Sequence, residues 1–401
     1  MLSSTPVGAR LARPGIRLLV NALACLLIVA YLAAISPLLQ TDEDFGVYYK
    51  AAQTLRAGGN IYTVQSYTYG PLFAWLFQPL AILPLSQARM GWFLVQVACL
   101  SAFIWLAIRI SGARLARRYW GVVALCSFVA TPTYLDLVLG QIGGCMALLT
   151  LAGYCAIRRQ PWWPGWWLGL AITFKLYPAL LWLGYIWRRQ WRMVAMVALS
   201  CCLLLVLTAI VCGWQNVSAF ASYLTQRSDY PYGSEHNVSL AGFWLRAFTN
   251  NGFVIPLLVL PVAAYAAIAL SSIVVVGACV AVGQPAEELG DMVQFSMFLC
   301  AMLLLFPASG IYNLNSLLFP ILVAVRAYET YQYRSTVRWL LIVVMSLYLP
   351  PLSSLISIAN IQRMSGVFLY FTPTTYSLLA LFGLLVALMR RIHALPQQTR
   401  S

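Results

Sequence analysis

The sequence predicts an all-α polytopic integral membrane protein with about 12 membrane crossings and a short juxtamembrane helix in its first outer loop. Three observations carry that prediction. Of 401 residues, 62% are hydrophobic and 9% charged, against roughly 25% charged in a soluble domain. Apolar runs of about 20 residues, the length that crosses a hydrocarbon core of about 30 Å, recur from end to end. Arginines stand in short clusters between those runs, the pattern that marks cytoplasmic loops. Unpaired backbone is costly in lipid, so the crossings must be helical, and residues 1–401 read as a single membrane domain.

The elements follow in order from the arginines. Arg10, Arg13 and Arg17 precede an apolar run from Leu18 to Leu39. That run is too long for a cleaved leader, so it reads as an uncleaved first span with the N-terminus in the cytoplasm. A first periplasmic loop, about 40–70, then lies outside and carries Asp42, Glu43 and Asp44. The piece Pro71 to Pro84 is too short to cross and reads as interfacial or re-entrant. A span near 90–108 returns to the cytoplasmic arginines 109, 114, 117 and 118. The next, from Trp120, exits near Asp136 and leaves Tyr134 to Gln141 outside.

The chain re-enters by Cys155 and meets Arg158 and Arg159, yet Arg188, Arg189 and Arg192 also call for the cytoplasm. An even number of crossings must lie between. A short helical pair, about 162–187, broken at Lys175-Leu176-Tyr177-Pro178 satisfies this, because proline cannot continue a helix cleanly. The pair places Lys175 at the outer face or just beneath it; the alternative is one long tilted span with a snorkelling lysine. A span near 193–212 delivers a second periplasmic loop, about 213–252, with Asp229, Glu235, His236, Asn237 and Arg246. Further spans fall near 253–282, 292–306, 311–326, 339–357 and 366–389, ending at cytoplasmic Arg390 and Arg391.

The formal net charge of +15 does not indicate a nucleic-acid partner, since the basic residues form no continuous groove for phosphates. Membrane lipids are the expected surroundings. Ten cysteines lack C-x-x-C spacing and nearby histidines, so neither a zinc site nor a disulfide framework is indicated.

Six of the ten acidic residues fall in the expected outer loops, together with His236 and several tyrosines. Positive-inside arithmetic does not place acids, so the bias points to an outward-facing polar site. In Asp44 to Leu55 the apolar residues recur at a 3.6-residue period, which predicts a short surface helix capped by Thr41 or Asp42 and ended by Gly58 and Gly59. Asp44 then lies in its first turn with Tyr48 one turn later on the same face. Asp42 can serve as a cap alone; Asp44, beyond the cap, is the candidate general base, a role that needs an oriented, partly shielded carboxylate.

Several stretches together resemble one family. They are Asp44-x-x-Val47-Tyr48-Tyr49, Gly58-Gly59-Asn60-Ile61-Tyr62, Tyr69-Gly70-Pro71-Leu72, Gly140-Gln141, the run from Gly169 to Lys175-Leu176-Tyr177-Pro178, Asn237-Val238-Ser239-Leu240-x-Gly242 with Arg246, and Pro307-Ala308-Ser309 with Tyr312 and Pro320. In order and content they are similar to the polyprenol-phosphate-mannose-dependent mannosyltransferases, glycosyltransferase family 87, of the GT-C class. Val238 stands where that family usually has glutamine, and Gly310 and Asn313 where tryptophan and histidine are common. These departures bear on the sugar and acceptor more than on the fold.

The resemblance implies a GT-C fold and an inverting enzyme of the inner membrane. It would pass a hexose, with mannose first, from a polyprenyl-phosphate donor to a lipid or glycan acceptor on the periplasmic side, without a cofactor. Asp44 would be the base, with His236 orienting it. Lys175 and Arg246 would hold the departing phosphate, although Arg246 also suits a span boundary. Asp42, Tyr48, Tyr62, Gln141, Asn237 and Tyr312 would bind sugar or acceptor, or else pack. Asp42 and Asp44 could pair on a divalent cation, but a lipid-phosphate donor does not require a metal and none is expected. Two other readings share the topology: a transporter or flippase of lipid-linked sugars, and a surface-polysaccharide polymerase or ligase.

Overall fold

A computed structural model describes residues 14–158, 164–226, 232–234, 236–251, 255–285, 287–332, 340 and 373–394. Every described element is helical; the one β-bridge, Asn237 with Gly310, stands alone. The first half runs α1 (Pro14–Ile35), α2 (Asp44–Arg56), α3 (Pro71–Phe77), α4 (Leu85–Ser111), α5 (Arg114–Arg118), α6 (Trp120–Val129), α7 (Thr131–Leu139) and α8 (Gly143–Arg158). The second runs α9 (Pro164–Phe174), α10 (Ala179–Trp187), α11 (Trp191–Cys212), α12 (Trp214–Gln226), α13 (Leu240–Phe248), α14 (Pro261–Ala281), α15 (Glu288–Leu305), α16 (Leu318–Tyr331) and α17 (Pro373–Ala394).

Seven described helical stretches are long and apolar enough to cross a membrane, and an eighth follows if α6 and α7, bent by 60° at Ala130, form one broken span. The expectation of about 12 crossings is therefore not met by full-length spans among the described residues. Helices α8, α9 and α10 are apolar but short. The expected span at 339–357 falls, apart from residue 340, outside the described residues, as do Arg10, Arg13, Arg159, Asp229 and Glu235.

Helix α15 is the centre of the bundle, with 78% of its most apolar stretch buried, whereas those of α1 and α14 are 17% buried and turn rows of leucine, isoleucine and valine outward. A helix apolar all round is stable with its outer side exposed only where that side meets lipid. At one end of the bundle Arg188, just after α10, pairs with Asp291 in the first turn of α15, and the Tyr154 hydroxyl of α8 donates to the same carboxylate at 2.7 Å. Opposite charges meet there with a hydrogen bond to spare, which offsets their desolvation.

The break around Lys175 forms as the sequence predicts. Helix α9 stops at Phe174, and the chain turns through Lys175 to Pro178 before α10 begins at Ala179. The segment Pro71 to Pro84 forms α3 and a 3₁₀ turn at Leu80–Ile82, neither long enough to cross.

Two expectations need correction. Neither Thr41 nor Asp42 caps α2: Glu43 occupies the N-cap position without a side-chain bond, so both earlier residues fall short of the first-turn N–H groups. Asp136 is not in a solvated loop. It is 2% exposed within α7, where its carboxylate accepts from the first amides of α8, Gly143 at 2.7 Å and Gly144 at 2.8 Å, and from Asn315 Nδ2 at 2.8 Å. A carboxylate at a helix N-terminus satisfies donors that otherwise lack partners.

Candidate active site

The first outer loop builds one wall of a cavity of about 640 Å³. Helix α2 buries Phe45, Tyr48, Ala51, Ala52 and Leu55, the stripe its period requires, and so fixes the rotation that puts Asp44 on the cavity side. The Tyr48 ring meets Phe73 and Phe77 of α3 edge to face, at 5.1 and 5.8 Å. Such contacts lock the loop by burying large rings in preferred geometry.

Tyr69-Gly70-Pro71 brings this wall against the break after α9. Gly70 N donates to Phe174 O, and a Cβ on Gly70 would stand 2.1 Å from Thr173 O, so only glycine allows the approach. The approach sets Lys175 Nζ 4.7 Å from the Tyr69 ring centroid. Its other flank is the Tyr312 ring at 5.0 Å. Two ring faces hold the cation at the polar end of the cavity.

Gln141 joins the parts. The main chain on either side of it is fixed by α4: Trp92 Nε1 donates to Gly140 O and Gln96 Nε2 to Gln141 O, both at 2.7 Å. Arg89, buried at the start of α4, donates to the carbonyls of Gln40, Leu137 and Val138, tying the entrance of the first loop to the end of α7. The Gln141 side-chain oxygen then accepts from Tyr69 Oη at 2.9 Å, Tyr48 Oη at 3.3 Å and Lys175 Nζ at 3.4 Å. Tyr48 Oη also donates to Tyr69 Oη at 2.7 Å.

Burial holds the Asp44 carboxyl above the ordinary carboxylate range; a hydrogen bond from Gln141 and the charges of Lys175 and His236 pull it back, and Glu43 adds to the rise. Desolvation penalises the ionised form, which is how a carboxylate becomes a stronger base. Burial pushes the Tyr48 and Tyr69 phenols up, so both stay protonated as donors.

A third wall comes from α12. Tyr62 stacks on Phe220 at 5.6 Å and on Tyr223 at 5.5 Å, and its hydroxyl donates to Tyr69 O at 2.8 Å. The cavity therefore has a polar end, with Asp44, Gln141, Lys175 and Tyr312, and an aromatic side.

Of the sequence-predicted residues, Asp44, Tyr62, Gln141, Lys175 and Tyr312 line this cavity, and Tyr48 stands behind it. Asp42 is exposed and does not line it. His236 is exposed and reaches Asp44 only as the weakest of the charges acting on it. Asn237 and Arg246 do not line it either. Asn237 Nδ2 donates to Tyr232 O and Pro307 O, and the buried Arg246 guanidinium donates to Ser234 O at 2.7 Å and Asn237 O at 2.9 Å. The segment they hold bonds Ser309 O and Ile311 N, and so carries Tyr312. No three His, Cys, Asp or Glu side chains gather into a metal-sized cluster among the described residues.

Sequence reasoning missed Arg89, Asp136, Phe220 and Tyr223 as parts of this assembly. The aromatic spacing of three at Phe220 and Tyr223 was a usable signal for a helix face; the pairing of Arg89 with carbonyls 49 residues away left none.

A model of glycosyltransferase family 87 matches residues 67–308, more than half of the chain. The chain belongs to glycosyltransferase family 87. The matched stretch contains Tyr69, Gln141 and Lys175, while Asp44 precedes it. This family 87 glycosyltransferase is 27% identical over 305 residues to the polyprenol-phosphate-mannose-dependent alpha-(1-2)-phosphatidylinositol pentamannoside mannosyltransferase of Mycolicibacterium smegmatis, covering 73% of this chain and 72% of that one. It is 30% identical over 176 residues, 41% of each chain, to the polyprenol-phosphate-mannose-dependent alpha-(1-2)-phosphatidylinositol mannoside mannosyltransferase of Mycobacterium tuberculosis. A further likeness, 29% over 172 residues, covers 39% of this chain and 38% of GPI mannosyltransferase 1 of Aspergillus fumigatus.

Proposed function

We propose that this glycosyltransferase transfers a hexose, mannose, from a polyprenyl-phosphate donor to a hydroxyl of a lipid or glycan acceptor, with inversion, at the periplasmic face of an inner membrane. The observation that carries the proposal is the sharing of one cavity by a carboxylate and a lone lysine, Asp44 and Lys175, with Gln141 between them. The relatives' names supply the donor and the sugar.

In the reaction the acceptor oxygen forms a bond to the anomeric carbon as the bond from that carbon to the phosphate oxygen breaks. Asp44 takes the acceptor's hydroxyl proton, and the electron pair of the broken bond leaves with the polyprenyl phosphate. Charge grows on the phosphate only as the bond breaks, so Lys175 stabilises the transition state more than the bound donor. Raising the Asp44 carboxyl by burial makes it a stronger base for proton abstraction. The aromatic side formed by Tyr62, Phe220 and Tyr223 gives flat apolar faces suited to sugar rings. His236 and Arg246 act on the site from outside it, through charge on Asp44 and through the segment that carries Tyr312.

Orientation follows from arginine. Helix α4 bonds Gly140 O and Gln141 O from Trp92 and Gln96 in its N-terminal half and carries Arg109 in its last turn, followed by Arg114, Arg117 and Arg118. Placing that cluster in the cytoplasm puts the cavity on the periplasmic side. Purified protein given synthetic polyprenyl-phosphate-mannose and a membrane acceptor fraction should release polyprenyl phosphate and form a product of inverted anomeric configuration, read by NMR. Movement of intact donor across liposomes with no cleavage would overturn the transferase reading.

A further inference from the structure

A second cavity, of about 690 Å³, lies between α1, α4 and α6, away from Asp44 and its neighbours. Each helix gives it a stripe at helical spacing: Ile28 and Leu32 from α1, Ile104 and Ile108 from α4, Ala124 and Phe128 from α6. The α4 stripe starts at Val97, and 11 residues at about 1.5 Å each make it about 16 Å long. That is about half of a hydrocarbon core of about 30 Å, the depth of one leaflet.

Only one end of the groove is charged. Arg109 and Arg117 line it there, and Arg117 Nη2 donates to Arg109 O at 2.9 Å, which holds the second guanidinium over the end of α4. The Arg109 guanidinium sits 5.2 Å from the Trp105 ring centroid. Neither arginine makes an ion pair among the described residues. Trp105 and Trp120 line the same end, 58% and 48% exposed, where tryptophan marks the headgroup level of a bilayer.

We propose that this groove is a binding site for one anionic phospholipid, its acyl chain along the three apolar stripes and its phosphate on Arg109 and Arg117. Length fixes the occupant as a single-leaflet lipid rather than a crossing helix, and two cations without acidic partners select an anionic headgroup. The site faces the opposite end of α4 from the catalytic cavity: about 26 Å of helix separates Trp92, which bonds Gly140 O, from Arg109. It is thus a second lipid site, independent of the donor's.

Native mass spectrometry of the full chain, released from nanodiscs of equal phosphatidylglycerol and phosphatidylcholine, tests it. One phosphatidylglycerol per chain should survive collision energies that strip phosphatidylcholine. Arg109→Gln with Arg117→Gln should cut that retention at least tenfold. Ser101→Trp fills the groove with both arginines intact, keeps the test open should the double variant fail to fold, and should abolish retention alike. Equal retention of the two lipids, retention unchanged in Ser101→Trp, or selectivity that emerges only after deletion of residues 1–13 would overturn the proposal, the last by giving the groove to the chain's own segment.

Discussion

Lys175 Nζ lies 3.4 Å from the side-chain oxygen of Gln141, and the same glutamine lines the cavity with Asp44 and lowers its carboxyl, so one amide acts on both the candidate base and the lone cation of the cavity. Gln141→Leu removes that link along with the acceptor shared by Tyr48 and Tyr69. The turnover should fall about 100-fold, the usual scale for losing one preorganised polar group. Its pH–rate profile carries a second signature. The Gln141 bond favours ionised Asp44, so without it the acidic limb should move to higher pH.

Lys175→Met should lower kcat/KM by about 100-fold or more through kcat, because the cation acts on charge that develops as phosphate departs. Lys175 also lowers the Asp44 carboxyl. The acidic limb should therefore move up in this variant too, and Lys175→Arg should restore its position better than its rate. An unmoved limb would contradict the pairing of the two groups.

Burial holds the folded-state value of Asp44 above its unfolded one. A group raised in this way contributes stability below the unfolded value and loses it as pH rises through the folded value. At neutral pH the ionised carboxylate therefore weighs against folding. Asp44→Asn should unfold at the same or a higher temperature than wild type at pH 7, and the difference should vanish or reverse on acidification, measured by thermal unfolding in detergent.

Arg246 donates to Ser234 O and Asn237 O with its side chain fully buried. Arg246→Ala removes both bonds, leaving Ser234 O with only the Asn237 N–H, and should destabilise the protein by about 3 kcal/mol, given roughly 1.5–3 kcal/mol for each hydrogen bond to a charged group. Where the variant is folded, KM for the donor should change less than twofold. A large rise in KM with unchanged stability would return Arg246 to the donor phosphate.

Much of the plan was legible in the sequence because lipid leaves few choices. Apolar run length gave the long helices, and Pro178 gave the break that presents Lys175. The 3.6-residue stripe gave α2 and the side on which Asp44 stands. What escaped depends on tertiary packing. Asp136 reads as a loop acid because charge is costly in a span, yet the α8 amides and Asn315 supply its partners. Arg89 sits just ahead of an apolar run and reads as a boundary arginine. Its role as a clamp on Gln40 and α7 depends on contacts 48 and 49 residues distant in sequence. The bend at Ala130 and the short helices α8 to α10 blur the crossing count, since runs of equal hydropathy can pack inside a bundle as well as span.

The central claim is that Asp44 abstracts the acceptor's proton in a transfer from polyprenyl phosphate. The direct test compares single-turnover sugar transfer from synthetic polyprenyl-phosphate-mannose by wild type and Asp44→Asn, in one lipid background with donor binding measured in parallel. Transfer lower by about 1,000-fold or more with donor affinity within a few-fold is the predicted result, in line with loss of a general base. Transfer by Asp44→Asn at the wild-type rate would contradict it.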